Sequence, residues 1–202
     1  AVAGRRFPSF GALIINVSSL ALTAHYLKTG MPLVERIVTV DGPAVAKPMN
    51  LIAPIGTSIR ELLNVTGLKS EPGKVVVGGP MNGEAICSVD DPVVKVSNAV
   101  LAFDEKSAVL PEASACINCG RCIEKCPVGI SVASVERMMK IADEEYRVKM
   151  LIDTGVRQCV DCACCSYVCP AHRPLLQINQ QAKSYLKRYA AEQKEKVGGN
   201  TK

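Results

Sequence analysis

Tryptophan is absent, and aromatic residues make up only 4% of the 202 positions, so any core this chain builds is aliphatic. There are two histidines, and neither has a recognisable partner set, which removes Ser–His–Asp and related nucleophilic constellations. His25 reads as a structural residue and His172 as a surface or capping one. No apolar run reaches the ~18 residues needed to cross a bilayer. The nearest, "FGALIINVSSLALTA" at 10–24, is interrupted by Asn16, Ser18 and Ser19. Following Arg5 and Arg6, it mimics a twin-arginine export signal. It also reads as a strand at 12–17 followed by a helix from Ser19 to Lys28, closed by Gly30. The one glycine-rich loop, "GGPMNG" at 78–83, fits neither G-x-G-x-x-G nor the Walker A pattern and reads as a tight turn. The excess of basic residues, +5, is scattered without an aromatic-interleaved stripe, which argues against nucleic acid as a partner. A chain that begins at Ala1 rather than Met reads as an excerpt or a processed form.

What is present is globular in composition, 48% hydrophobic and 21% charged. It is also divided. Of ten cysteines, Cys87 alone precedes residue 115, which marks a boundary near 104–115. In the first part, "ERIVTVDG" (35–42) alternates and ends in a turn pair, and "MNLIAPIG" (49–56) is a second strand whose Pro54 suits a sheet edge. "TSIRELLNVTG" (57–67) reads as a helix with a Ser58–Glu61 capping box and an apolar face of Ile59, Leu62 and Leu63. "KVVVGG" (74–79) is a buried strand, and 93–103 holds one or two more. These elements predict an α+β unit, a small mixed sheet packed on one main helix. Cys87 is expected to pack as a small apolar residue.

The second part reads as helical. From Ser131, a plausible N-cap, to Gly155, Val132, Val135, Met138, Met139 and Ala142 recur at helical spacing. After Pro170 a similar stripe runs through Leu175, Ile178, Ala182, Tyr185, Leu186 and Tyr189. Lys183, Lys187 and Arg188 read as a solvated face of that helix, and the end of the chain as a solvated tail.

Between these helical segments lie two cysteine runs. "CINCGRCIEKCP" carries Cys116, Cys119, Cys122 and Cys126 before Pro127. "CVDCACCSYVCP" carries Cys159, Cys162, Cys165 and Cys169 before Pro170, each residue 43 positions after its counterpart. The spacing is C-x2-C-x2-C-x3-C-P, twice. Disulfides suit it poorly, because cysteines two residues apart close strained loops. Zinc uses four ligands and has no need for a third cysteine at x2 or for the proline. A four-iron cube does: three thiolates along a turning loop grip three of its corners, and loop N–H groups offset its negative charge. In two-cluster ferredoxins the fourth cysteine ligates the other cluster. That pattern groups Cys116, Cys119, Cys122 and Cys169 around one [4Fe–4S] cluster, and Cys159, Cys162, Cys165 and Cys126 around a second. Cys164 occupies the place of Arg121 and is surplus, expected to point away from the metal. Two such clusters, each near −2, bring the net charge to about +1. Arg121, Lys125 and Arg157 would favour the reduced form, and Glu124 and Asp161 would oppose it.

Those two runs, the following "AHRPLLQINQQAK" and the upstream "ERIVTVDG", "GTSIRELL" and "VVVGGPMNG" together resemble the C subunit of the Rnf electron-transport complex, from about Phe10 to Lys187. The resemblance implies a connecting strand and helix at 1–33, a β-grasp (SLBB) domain at 34–104, a helical two-cluster ferredoxin-like domain at 105–190 and a flexible tail at 191–202. It implies electron transfer between NADH and ferredoxin coupled to ion movement, and a peripheral place on the cytoplasmic side of the membrane. Its partners would be other subunits of the complex and a ferredoxin or ferredoxin-like subunit. Members of the family also carry a flavin- and NADH-binding domain that nothing here matches, so FMN and NADH are expected on a missing N-terminal part. No catalytic residue is expected on this chain. A cobalamin reductase of the propanediol-utilisation type shares the arrangement, and a structural or sensory metal module is the reading from another class.

Overall fold

The structure, a computed structural model, describes residues 13–198. The chain divides into two compact units, the break falling between Leu110 and Pro111.

The first unit opens with helix α1 (Val17–Thr29), whose N-cap Asn16 accepts the Ser18 N–H at 2.9 Å. The strand expected at 12–17 does not form: residues 13–16 have no regular structure, and the helix starts two residues before Ser19. Asn16 favours the helix, because its side chain accepts the Ser18 N–H, a first-turn donor that no carbonyl within the helix can reach. Residue 12 and the arginine pair at 5–6 lie outside the described residues.

Strands β1 (Glu35–Asp41) and β2 (Met49–Pro54) form an antiparallel pair in which Ile37 faces Ile52. Helix α2 (Ile59–Thr66) follows with its capping box formed, the Ser58 Oγ accepting the Glu61 N–H and the Glu61 carboxylate accepting the Ser58 N–H. Strands β3 (Lys74–Val77), β4 (Glu84–Ala85) and β5 (Ala99–Phe103) complete a mixed five-stranded sheet ordered β2-β1-β5-β3-β4. β1 and β5 run parallel at its centre, and β2 with Pro54 lies at an edge. The period of two in β1 turns Val38 and Val40 inward, where they meet Ile59, Leu62 and Leu63 of α2. Each such side chain, removed from water, contributes roughly 1.5–3 kcal/mol.

Only one strand forms in 93–103. Val93 is buried and exchanges hydrogen bonds with Thr57 and Gly56, but the Ser97 hydroxyl then accepts the Val94 N–H and turns the chain before β5. The Asp41-Gly42 turn needs glycine for a non-local reason, since a Cβ at Gly42 would run into the Ala102 carbonyl. "GGPMNG" is the turn between β3 and β4, and Gly83 packs so closely on Val76 that it has no room for a Cβ. Cys87 is exposed, not packed, because it lies in the irregular segment after β4. A one-turn helix α3 (Glu105–Ala108), capped by Asp104, ends the unit.

The second unit is helical: α4 (Arg121–Glu124), α5 (Val132–Met139), α6 (Glu144–Asp153), α7 (Cys164–Tyr167) and α8 (Leu175–Gly198). Its core joins Val132 and Val135 of α5, Leu151 of α6, Val156, and Leu175, Ala182 and Leu186 of α8. The segment 131–155 is two helices rather than one. Asp143 caps a new start by accepting the Tyr146 N–H at 2.7 Å, so Ala142 falls in the break and is exposed. Ser131 occupies the N-cap of α5 without a side-chain cap bond, its hydroxyl being paired with Ser134 instead. Gly155 stops α6 in the left-handed region. α8 runs on to Gly198, past residue 191, where a solvated tail was expected.

Candidate metal centres

The two cysteine runs fold alike. In each, an irregular loop enters a single helical turn (α4 or α7) whose N-cap has left-handed backbone, Gly120 at φ 76° and Ala163 at φ 63°. The third cysteine follows inside the turn and is buried, Cys122 and Cys165 alike. The fourth comes after the turn, then a proline, then a second left-handed residue, Gly129 in one run and His172 in the other. Asn118 and Asp161 share a third left-handed position, at φ 55° and 53°. Three reversals at matching places bend each loop into a cup, so that spacing along the chain becomes convergence in space.

Cys116, Cys119, Cys122 and Cys169 line one cavity, together with Ala133, Glu136 and Arg173. Cys126, Cys159, Cys162 and Cys165 line another, with Ile130, Leu176 and Asn179. The fourth cysteine of each run thus sits with the first three of the other. Cys164 lines neither cavity, and the neighbouring Cys162 raises its thiol above the ordinary value. Among the described residues no three His, Cys, Asp or Glu side chains are drawn together as one metal ion requires. The eight cysteines divide instead four and four between the two cavities.

Sulfur environments differ between the two cavities. Cys116 and Cys119 lie on the exposed stretch 111–120, whereas Cys159 and Cys162 are half-buried beside α8. Burial pushes the Cys165 thiol up to about 11, against the pull of the Ser166 N–H and hydroxyl. Burial also raises Cys122, which the N–H groups of Ala133 and Ile123 oppose, and Cys159. A thiol held up in this way ionises when a cation takes the place of its proton, and the surrounding N–H groups then stabilise the thiolate. Ile130 N–H on the Cys126 sulfur, at 3.4 Å, is a further such donor. The donor set therefore fits a large, soft, cationic inorganic core at each cavity, whose net negative charge once the thiolates are counted is offset by the N–H groups.

Two polar ties hold the loops, and neither was legible in the sequence. Around the first cavity, Arg173 donates to both oxygens of Glu136 and to the Ser114 carbonyl, joining α5 to the approach of Cys116. Around the second, Lys183 on α8 donates to the Cys159 carbonyl at 3.0 Å and to Asp161 at 2.5 Å. Asn179, one turn earlier, is 1% exposed; its amide reaches towards the Cys159 sulfur at 3.8 Å and its oxygen has no partner among the described residues. The 43-residue repeat sets Glu136 against Asn179 and Lys140 against Lys183, which marks those helix positions as equivalent, but it carries no trace of the Arg173 or Asp161 pairings. Glu124 and Lys125 pair with each other at 2.9 Å, Arg121 and Arg157 are exposed, and His172 is exposed at its left-handed turn.

Residues 108–170 match the sequence pattern of a 4Fe-4S dicluster domain. The chain is 33% identical over 157 residues to the C subunit of the proton-translocating ferredoxin:NAD(+) oxidoreductase complex of Clostridium ljungdahlii, covering 72% of this chain and 34% of that protein. It is 39% identical over 129 residues to the C subunit of the ion-translocating oxidoreductase complex of Yersinia pestis, covering 63% and 21%. With the C subunit of the Na(+)-translocating ferredoxin:NAD(+) oxidoreductase complex of Acetobacterium woodii it shares 34% over 142 residues, covering 67% and 32%. Its homologues thus include the C subunits of Rnf-type ion-translocating oxidoreductases, and the matched segment spans about a third or less of their length. The dicluster match, with the cysteines present, implies two [4Fe–4S] clusters.

Proposed function

We propose that this chain is the iron–sulfur electron relay within the C subunit of a membrane-associated, ion-translocating ferredoxin:NAD oxidoreductase of the Rnf type. The observation that carries the reading is the sorting of eight cysteines into two sets of four, each lining its own cavity. Cys116, Cys119, Cys122 and Cys169 hold the first cluster, and Cys159, Cys162, Cys165 and Cys126 the second. When bound, the two clusters supply one-electron carriage, with no substrate bond made or broken.

The chain's own residues do the rest. The cupped loops present the sulfurs with their N–H donors already aimed, so little reorganisation accompanies a change of charge. The exposed setting of Cys116 and Cys119 gives the first centre a face to solvent, and the second loop is half-buried against α8. In this reading the hydride chemistry of NADH and FMN takes place elsewhere in the complex. Other subunits and a ferredoxin or ferredoxin-like subunit are the partners, at the cytoplasmic face of the membrane. No helix among the described residues is long and apolar enough to cross it. The domain plan is a β-grasp unit followed by a two-cluster unit, with the break after Leu110 and the second unit carried on through α8.

Anaerobic reconstitution tests this. About eight iron and eight sulfide per chain are expected, with two interacting reduced centres by EPR after dithionite. Zinc without iron, or iron that dithionite does not reduce, would leave a structural metal module as the better account.

A further inference from the structure

Along the second unit, α8 and the loop that carries Cys159 enclose a groove whose lining includes Arg157, Asp161, Lys183, Leu186, Lys187 and Lys194. The three lysines stand on one face of α8, at spacings of four and seven residues. Asp161, the one carboxylate among the lining residues, is engaged by Lys183. Arg157, Lys187 and Lys194 are exposed and make no ion pair among the described residues, which leaves a surplus of positive charge over a floor that includes buried Leu186. Lys183 also bonds the Cys159 carbonyl, so the wall of the groove is the frame of one second-centre cysteine.

We infer that this groove is the docking surface for an acidic electron-carrying protein, an inference that rests on the relay reading above. The charge calls for carboxylates, and the concave shape calls for a projecting protein surface. A bilayer would need the apolar stripe of α8, but Leu175, Ala182 and Leu186 on that stripe are buried in the core of the unit. Docked here, the carrier meets the chain beside Cys159. One electron passes between them, one protein being oxidised as the other is reduced, and no proton or atom moves. The field of the groove also steers the encounter, raising the association rate at low ionic strength.

The test uses the full reconstituted chain and a fluorescently labelled small acidic ferredoxin, with cytochrome c as the basic comparison. In about 50 mM salt, where the Debye length exceeds 10 Å, Lys187→Glu with Lys194→Glu should raise the Kd for ferredoxin about ten-fold or more. It should tighten cytochrome c, and it should leave iron content and the EPR spectrum unchanged. The milder Lys187→Gln with Lys194→Gln should fall between, and its ferredoxin binding should depend less steeply on salt than that of the wild type. Equal ferredoxin affinity in all three proteins overturns the inference, as does a loss confined to vesicles of anionic phospholipid. Binding is read without electron transfer, so a wild type that takes up no iron defeats the relay reading while the ferredoxin titration still decides the groove.

Discussion

Replacing Arg173 with leucine removes the tie that holds the first centre together. The wild-type guanidinium donates its Nε to Glu136 at 2.8 Å, its Nη2 to the other carboxylate oxygen, and its Nη1 to the Ser114 carbonyl at 2.6 Å. The two side chains are 18% and 17% exposed, neither fully buried nor free in water. Breaking a fully buried pair costs about 3–5 kcal/mol and an exposed one about 0–1, so a loss of about 1–3 kcal/mol is expected here. It should fall on one centre, because Ser114 leads into Cys116 and Arg173 follows Cys169, while no residue of the tie lines the second cavity. At ten-fold per 1.4 kcal/mol, that is roughly 5- to 150-fold weaker retention of the first cluster. Reconstitution at limiting iron should then give about four iron per chain rather than eight, with one EPR centre intact. The pH dependence of the iron-free protein supplies a second readout. Burial opposes ionisation of Glu136, but Arg173 and Lys140 outweigh it and hold the carboxyl below its usual 4.5. A depressed carboxyl contributes stability above its unfolded value and loses that contribution as pH falls through the folded one. The gap in urea-unfolding stability between wild type and variant should therefore be full above about pH 5 and close as the pH drops below 4.5. Equal iron loss from both centres, or a gap that persists in acid, would refute the reasoning.

Further outcomes follow from individual residues. Cys169→Ser should damage the centre of Cys116, Cys119 and Cys122 rather than that of its own run, while Cys164→Ser leaves both; EPR of the two variants against wild type decides, and loss of the Cys159 centre in Cys169→Ser would break the crossed assignment. His172→Gly should stabilise the protein by about 0.5–1 kcal/mol, because the exposed histidine holds φ 50° where the matching position is Gly129; a lower urea midpoint would show that its side chain does something else. Asn179→Leu removes an amide aimed at the Cys159 sulfur and should lower the potential of the second centre by some tens of millivolts, read by EPR-monitored redox titration; an unchanged potential, or a shift in the first centre, would count against it.

Local chemistry was the legible part. The Ser58–Glu61 box, the alternation of Val38 and Val40 and the Gly155 stop each depend on residues within a few positions, so their pattern survives in one dimension. Where a nearby group competed, the reading slipped. Asn16 claimed a helix start from an expected strand, Asp143 divided an expected single helix, and the Ser97 turn left 93–98 out of the sheet. The left-handed backbone at Ala163 and His172 was hidden because neither residue is glycine, although their counterparts Gly120 and Gly129 are.

By itself the sequence determined that this protein carries a doubled C-x2-C-x2-C-x3-C-P run, a mixed α+β part and a helical part, because spacing, capping and periodicity are properties of neighbours along the chain. Tertiary structure alone decided that β1 lies between β2 and β5, that Arg173 clasps Glu136 and Ser114, and that Lys183 and Asn179 lean on the Cys159 loop. Those contacts join residues well separated along the chain, and what brings them together is burial of two aliphatic cores, one between the sheet and α2 and one shared by α5, α6 and α8, which no local pattern records.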